Sequence, residues 1–158
     1  MGFKTMDGVR MLSADEHDEI TRFARDAEEI LEYEQNESPE NIVKMIGVFI
    51  DCAYRDENLP QDSKQELAFS MGSLWAEQVM KKYHWDWRHI DSETSNYHGF
   101  FLISEDESYC CPVFQFFVKI IMGNNLYEGE NDNTIELIFN MIAELDYEGC
   151  KDKFNVIW

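Results

Sequence analysis

The stretch MKKYHWDWRHI, residues 80–90, marks the point where the chain changes from helical to strand periodicity. Residues 61–83, which end inside this stretch, predict a helix with Leu67, Met71 and Leu74 on one side: QDSKQELAFSMGSLWAEQVMKKY. After Tyr83 the period becomes two, with Trp85, Trp87 and His89 alternating with Asp86, Arg88 and Ile90. The stretch therefore predicts a junction between a long helix and a first strand, in which the two tryptophans pack in the core or on a sheet face.

Further short strands and helices are expected downstream of this junction. YHGFFLIS (97–104) predicts a second strand, EDES (105–108) a hairpin connection and YCCPV (109–113) a third strand that Pro112 ends. Two helices are expected at 113–123 and 134–145, the second with a cap near Asp132 or Asn133, and the loop 124–133 lies between them. FNVIW (154–158) predicts a terminal strand, because apolar side chains alternate along it.

Two helices are expected upstream of the junction. SADEHDEITRFARDAEEILEYE (13–34) begins with a capping box, in which Ser13 is the N-cap and Glu16 reaches back from position N3. The next helix begins after Ser38, with Pro39 in its first turn, and ends before Pro60. This order of elements predicts a single α+β domain over residues 1–158, in which helices pack on a small antiparallel sheet. A row of small residues in the third helix would let another helix approach closely, at Ala68, Gly72 and Ala76.

Charge is the most unusual property of the composition. The 158 residues include 32 acidic and 13 basic side chains, which gives a net charge of -19, whereas 44% hydrophobic residues are enough for a folded core. Such a charge argues against direct binding to nucleic acid. It leaves two interpretations open, namely solubility and the recognition of a basic protein partner.

The compartment is expected to be the cytoplasm. No apolar stretch resembles a secretory signal, and no run reaches the ~18 apolar residues of a membrane span. Four cysteines, Cys52, Cys110, Cys111 and Cys150, fit a reduced environment. The adjacent pair Cys110 and Cys111 is expected to be buried as small apolar side chains.

Acidic residues without a local cation are the candidate binding surface. In the first helix, Asp18 with Arg22 and Arg25 with Glu29 form pairs four residues apart. The carboxylates left without such a partner form the first candidate surface: Asp15, Asp26, Glu28, Glu32, Glu34 and Glu37. The hairpin tip and the following loop form the second: Glu105, Asp106, Glu107, Glu128, Glu130 and Asp132.

Catalytic and metal-binding patterns are weak by comparison. His84, His89 and His98 show no recognised zinc spacing, and the acidic loop fails the EF-hand pattern at Asn133 and Phe139. No phosphate-binding loop, nucleophile elbow or cofactor motif is present, so neither a metal nor a cofactor is expected. The remaining enzyme hypothesis is a hydrolase that uses Cys110 or Cys111 with His98 on the neighbouring strand.

Three segments together resemble a group of small bacterial α+β domains. They are MGSLWAEQVMKKYHWDWRHI (71–90), GFFLISEDESYCCPVFQFFVKII (99–121) and NTIELIFNMI (133–142), and they cover about the last 90 residues. Some of these domains are encoded beside secreted toxins as immunity proteins. The resemblance implies a fold and no active site. With the acidic charge, it predicts a non-enzymatic immunity protein that occludes the active site of a basic toxin, in particular a nuclease. A general protein-interaction domain remains the alternative outside enzymes.

Overall fold

The computed structural model describes residues 2–123 and 134–157. Within these residues the secondary structure confirms the predicted α+β class. The elements run in chain order as β1 (Val9–Arg10), α1 (Ala14–Leu31), α2 (Pro39–Arg55), α3 (Gln61–Tyr83), β2 (Asp86–Asp91), β3 (His98–Ile103), β4 (Tyr109–Cys111), α4 (Val113–Ile121), α5 (Thr134–Met141), a 3₁₀ turn (Ile142–Glu144) and β5 (Asn155–Val156).

The two predicted helix starts are confirmed by their capping hydrogen bonds. The Ser13 hydroxyl accepts from the Glu16 N–H at 3.2 Å, and the Glu16 carboxylate accepts from the Ser13 N–H at 2.8 Å. At α2, the Ser38 hydroxyl accepts from the Asn41 N–H at 3.2 Å, and Pro39 occupies the first turn. These bonds satisfy N–H groups that have no partner within the helix.

The sheet is mixed, which corrects the expectation of an antiparallel one. Its strand order is β1-β2-β3-β4-β5, and each pair from β1 to β4 is antiparallel. Strand β5 pairs with β4 in parallel, with Asn155 opposite Tyr109 and Val156 opposite Cys110. Helices α4 and α5 lie between these strands in the chain and carry it across, as a parallel pairing requires. Strand β1 was not predicted, because two residues are too short to show a period.

Helix α3 is the central helix and packs against α1, α2 and α4. A Cβ atom added at Gly72 would lie 3.3 Å from side-chain atoms of both Phe117 and Val113 of α4. The predicted close approach at the small residues is thus confirmed. Although α3 has 23 residues, neither it nor any other helix in the described ranges is long and apolar enough to cross a membrane.

The predicted junction between helix and strand is also confirmed. His84 ends α3 in the left-handed conformation with φ of 63°, and strand β2 follows two residues later. Trp85 and Trp87 are buried in the main core with the helices, whereas Ile90 packs in a second cluster with Phe101 on the opposite face of the sheet. The alternation in the sequence therefore corresponds to the two faces of β2.

The last predicted helix is shorter than expected. The α-helical part ends at Met141, and one 3₁₀ turn replaces its final residues up to Glu144. The predicted loop 124–133 and the predicted cap at Asp132 or Asn133 lie outside the described residues.

Candidate functional site

An acidic stripe runs along the solvent face of α1. Helical geometry places five carboxylates and one arginine within this stripe, because each of them lies three or four residues from another member. All of these residues are exposed to solvent. The acidic stripe consists of Asp15, Asp18, Glu19, Arg22, Asp26 and Glu29.

The cation within the stripe is weakly engaged. Arg22 lies 4.0 Å from Glu19, and the two side chains are 69% and 61% exposed. An ion pair at that distance and exposure contributes little stability. The expected pairing of Arg22 with Asp18 is replaced by this contact. Within the described residues, no lysine, arginine or histidine lies within salt-bridge distance of Asp15 or Asp26.

The ion pairs of Arg25 differ from the predicted one and change the set of unpaired carboxylates. It forms ion pairs with Glu28 on its own helix and with Glu77 on α3, rather than with Glu29 as expected. Glu28 is therefore not an uncompensated charge, and the sequence-based expectation was wrong for it. The cause is tertiary, since the flank of α1 that carries Arg25 faces α3 and brings Glu77 within reach.

The acidic residues after α1 lie beside the end of the helix. Glu32 is its C-cap with φ of 52°, and both Glu32 and Glu34 are exposed. Glu37 is half-buried and accepts a hydrogen bond from the Asn41 side chain at 2.7 Å. These three carboxylates extend the negative surface beyond the stripe.

The hairpin tip forms a separate acidic surface. Glu105 and Glu107 are exposed there, and Glu107 has a positive φ of 64°. The Asp106 carboxylate instead accepts from both the Ser104 hydroxyl at 2.9 Å and the Ser108 hydroxyl at 2.7 Å, so it stabilises the turn. The remaining members of the second candidate surface lie outside the described residues: Glu128, Glu130 and Asp132.

An aromatic groove of about 340 Å³ lies along one edge of the acidic stripe. Phe23 of α1, Phe69 of α3, Phe100 of β3 and Phe114 of α4 line it, and all four are half-buried. Ile20 and Gly99 complete the lining, and Glu16, Glu19 and Gln115 lie at the rim.

The rings of the groove are arranged edge to face. Phe69 meets Phe23 at an interplanar angle of 64° and Phe114 at 80°, with centroids 5.9 Å and 5.4 Å apart. Phe100 meets Phe114 at 82° and 6.1 Å. These are favoured aromatic geometries, so the walls of the groove hold one another in place.

Glu16 is the fixed carboxylate of the rim. Its two oxygens accept hydrogen bonds from Arg10 at 2.7 Å and 3.0 Å, and it also accepts from the Ser13 N–H. The hydrogen bonds from Arg10, with that from Ser13, lower the pKa of the Glu16 carboxyl to about 2. Among the residues that the structure describes, Glu19 has only the weak contact with Arg22 and is the more available charge.

The cysteine and histidine of the enzyme hypothesis are far apart. Cys110 pairs with Ile103 and Cys111 with Leu102, at the end of β3 opposite to His98. A separation of four or five residues along a strand is roughly 13–17 Å. Burial raises the pKa of the Cys110 thiol to about 12 and raises that of Cys111 well above its ordinary value. Both cysteines are buried, as predicted.

The three histidines considered as metal ligands each make a different contact. His84 caps α3, the ring of His89 meets Phe100 edge to face, and His98 contacts Asp91 at 2.8 Å. Within residues 2–123 and 134–157, no three histidine, cysteine, aspartate or glutamate side chains come close enough to hold a metal ion.

The sequence did not indicate the aromatic groove. Its four phenylalanines come from four separate elements, and each lies in an apolar pattern that predicts only burial. Comparison of the chain with protein families, with curated proteins and with solved structures found no match. The site is therefore defined by its geometry alone.

Proposed function

We propose that this chain is a binding module that captures a basic protein partner on the acidic stripe of α1. The partner would be a toxin, and the chain would act as its immunity protein by covering the toxin's active site. The observation that supports the proposal best is the stripe itself, in which five exposed carboxylates face solvent with one weakly engaged arginine.

Electrostatics gives this arrangement a kinetic advantage. A concentrated negative surface on a chain with a net charge of -19 raises the rate at which a basic partner is encountered and disfavours acidic partners. A nuclease is a suitable target, because its active site must attract phosphate groups and is itself basic. Occlusion of such a site requires no catalytic group on this chain.

Co-expression with the products of the flanking genes tests the proposal. One of these products should arrest growth when expressed alone, and this chain should restore growth and co-purify with it. The association rate of the purified pair should fall steeply between about 20 and 150 mM salt, because the Debye length shortens to about 8 Å. If no flanking product is both toxic and bound, the immunity role is excluded.

A matched pair of charge reversals locates the interaction. Asp26→Lys alters the acidic stripe, and Glu57→Lys makes the same change in net charge in an exposed turn between α2 and α3. The first should slow association by about tenfold and the second much less. Equal effects would show that only the overall charge matters, and the stripe would then not be the binding surface.

A further inference from the structure

We infer that the aromatic groove is an anchor pocket for an aromatic or large aliphatic side chain that the basic partner presents between lysine or arginine residues. This inference rests on the proposed function, because it assigns the part of the partner that enters the groove beside the acidic stripe. It adds an apolar contact to an interface that charge alone would leave weak and unspecific.

The shape of the groove fits a single large side chain. Its volume of about 340 Å³ is at the lower end of the range for ligand pockets. Gly99 is part of the lining and contributes no side chain to fill the groove. Because the four rings stand edge to face, an incoming aromatic ring can contact one phenylalanine by its face and another by its edge.

The mouth of the groove selects positive neighbours for that side chain. Glu19 lies both at the rim of the groove and in the acidic stripe, next to Asp15 and Asp18 in a shallow depression. The cation already present there, Arg22, is 69% exposed and lies 5.8 Å from the centre of the Phe23 ring. An incoming lysine or arginine can displace the weak contact of Arg22 with Glu19 and interact with three carboxylates.

The arrangement also matches the anatomy of protein interfaces. Binding energy concentrates in a few side chains that fill desolvated pockets, surrounded by a rim that excludes water. Here the half-buried phenylalanines supply the pocket, and Glu16 and Glu19 supply part of the polar rim. Glu16 is held by Arg10, so that part of the rim is already ordered before a partner binds.

Three short peptides test the inference without knowledge of the partner. The probe is acetyl-Lys-Arg-Phe-Arg-Lys-amide. One control replaces its phenylalanine with alanine, and the other replaces all four cations with glutamate. Titration is followed by NMR through the Ile20 methyl group and the amide groups of Gly99 and Gln115. The probe should bind with a Kd on the order of a millimolar or below. The alanine peptide should bind at least about tenfold more weakly, and the glutamate peptide should not saturate.

Two variants with matched controls separate the groove from the charge. Phe23→Ala removes one wall of the groove and should raise the Kd of the probe at least about fivefold. Phe49→Ala removes a half-buried ring on α2 and should leave that Kd unchanged. Glu19→Lys should weaken binding of the probe, and Glu57→Lys should leave this binding nearly unchanged. Circular dichroism and the dispersion of methyl signals confirm that each variant is folded.

The outcomes distinguish the inference from the proposed function. Equal binding of the phenylalanine and alanine peptides would overturn the anchor pocket and leave capture by charge intact. Changes in NMR chemical shift that are confined to residues outside the groove would also overturn the anchor pocket. Absence of saturable binding up to about 5 mM probe would also overturn it, whereas the co-expression experiment tests the proposed function independently. Shifts at Ile20, Gly99 and Gln115 that require both the phenylalanine and the cations would establish the pocket.

Discussion

Trp87 stacks on Phe114 with ring centroids 5.4 Å apart and an angle of 16° between the planes. Trp87 is 3% exposed and belongs to the core, whereas Phe114 is half-buried and lines the aromatic groove. The stack therefore connects strand β2 to the start of helix α4 and fixes one wall of the groove from the core side. A surface pocket is held in shape by the same contact that joins sheet to helix.

Replacement of Trp87 tests this support. Trp87→Ala should lower the free energy of unfolding by about 3–5 kcal/mol, because it leaves a large cavity in a packed core. Leu137→Ala, at a side chain that is 52% exposed, should change it by less than about 0.5 kcal/mol. Urea denaturation followed by circular dichroism measures both values. A loss below about 1 kcal/mol for Trp87→Ala would mean that the stack is not a structural support.

The cysteines give a second prediction, based on reactivity. In the folded protein at pH 8, a thiol reagent such as DTNB should modify the exposed Cys52 rapidly and leave Cys110 and Cys111 unmodified. Burial blocks access to the latter two and raises the pKa of each thiol, so little thiolate forms. Both should react once guanidinium unfolds the chain. Rapid reaction of Cys110 in the folded protein would contradict the structure and revive a nucleophilic role for it.

Local signals in the sequence predicted the five helices and four of the five strands that the structure describes. The capping box at Ser13 and Glu16, the change of period at Tyr83 and the break at Pro112 each depend on residues close together in the chain. Side-chain chemistry at that range fixes where a helix or strand begins. The parallel pairing of β5 was not predictable in this way, because it depends on how the long segment after β4 crosses the domain.

The site required tertiary information. Sequence spacing assigned Glu29 to Arg25, but the ion pair with Glu77 joins residues 52 positions apart and also draws in Glu28. The exposed carboxylates of α1 followed from helical periodicity, since that pattern defines which side faces solvent. The groove beside them did not, because no pattern within one element shows that four phenylalanines will meet.

The contact between Arg25 and Glu77 should show measurable coupling. A double-mutant cycle with Arg25→Met and Glu77→Gln should give a coupling free energy of about 0.5–1 kcal/mol, because the Arg25 side chain is half exposed and the pair is partly screened. The coupling should shrink as the salt concentration increases. A coupling near zero at about 20 mM salt would show that this ion pair does not help to hold α1 against α3.

The pKa of Glu16 predicts how its contribution to stability depends on pH. Hydrogen bonds from Arg10 lower the pKa from an ordinary value of 4.5 to about 2 in the folded state. The stabilisation is therefore fully present above about pH 4.5 and is lost as the pH falls through about 2. The difference in unfolding free energy between the parent and Glu16→Gln should follow that course. The same difference in unfolding free energy, measured in an Arg10→Gln background, should be smaller and should disappear nearer pH 4. A difference independent of pH would exclude the ion pair as its source.

Charge reversal at Glu28 of α1 and at Glu32, the C-cap of the same helix, should have different effects on stability. Glu28→Lys removes a partner of Arg25 and places a second cation beside it, so it should destabilise the fold by about 1 kcal/mol. Glu32→Lys changes the net charge equally, but Glu32 is the C-cap of a helix whose last turn has no basic residue. A cation there interacts favourably with the helix dipole, so this variant should be neutral or more stable by about 0.3–1 kcal/mol. Urea denaturation at about 20 mM salt measures the difference, which should decrease at about 500 mM salt because both effects are electrostatic. If the two variants are equally stable, the Arg25 ion pairs contribute nothing, and Glu28 belongs among the free carboxylates after all.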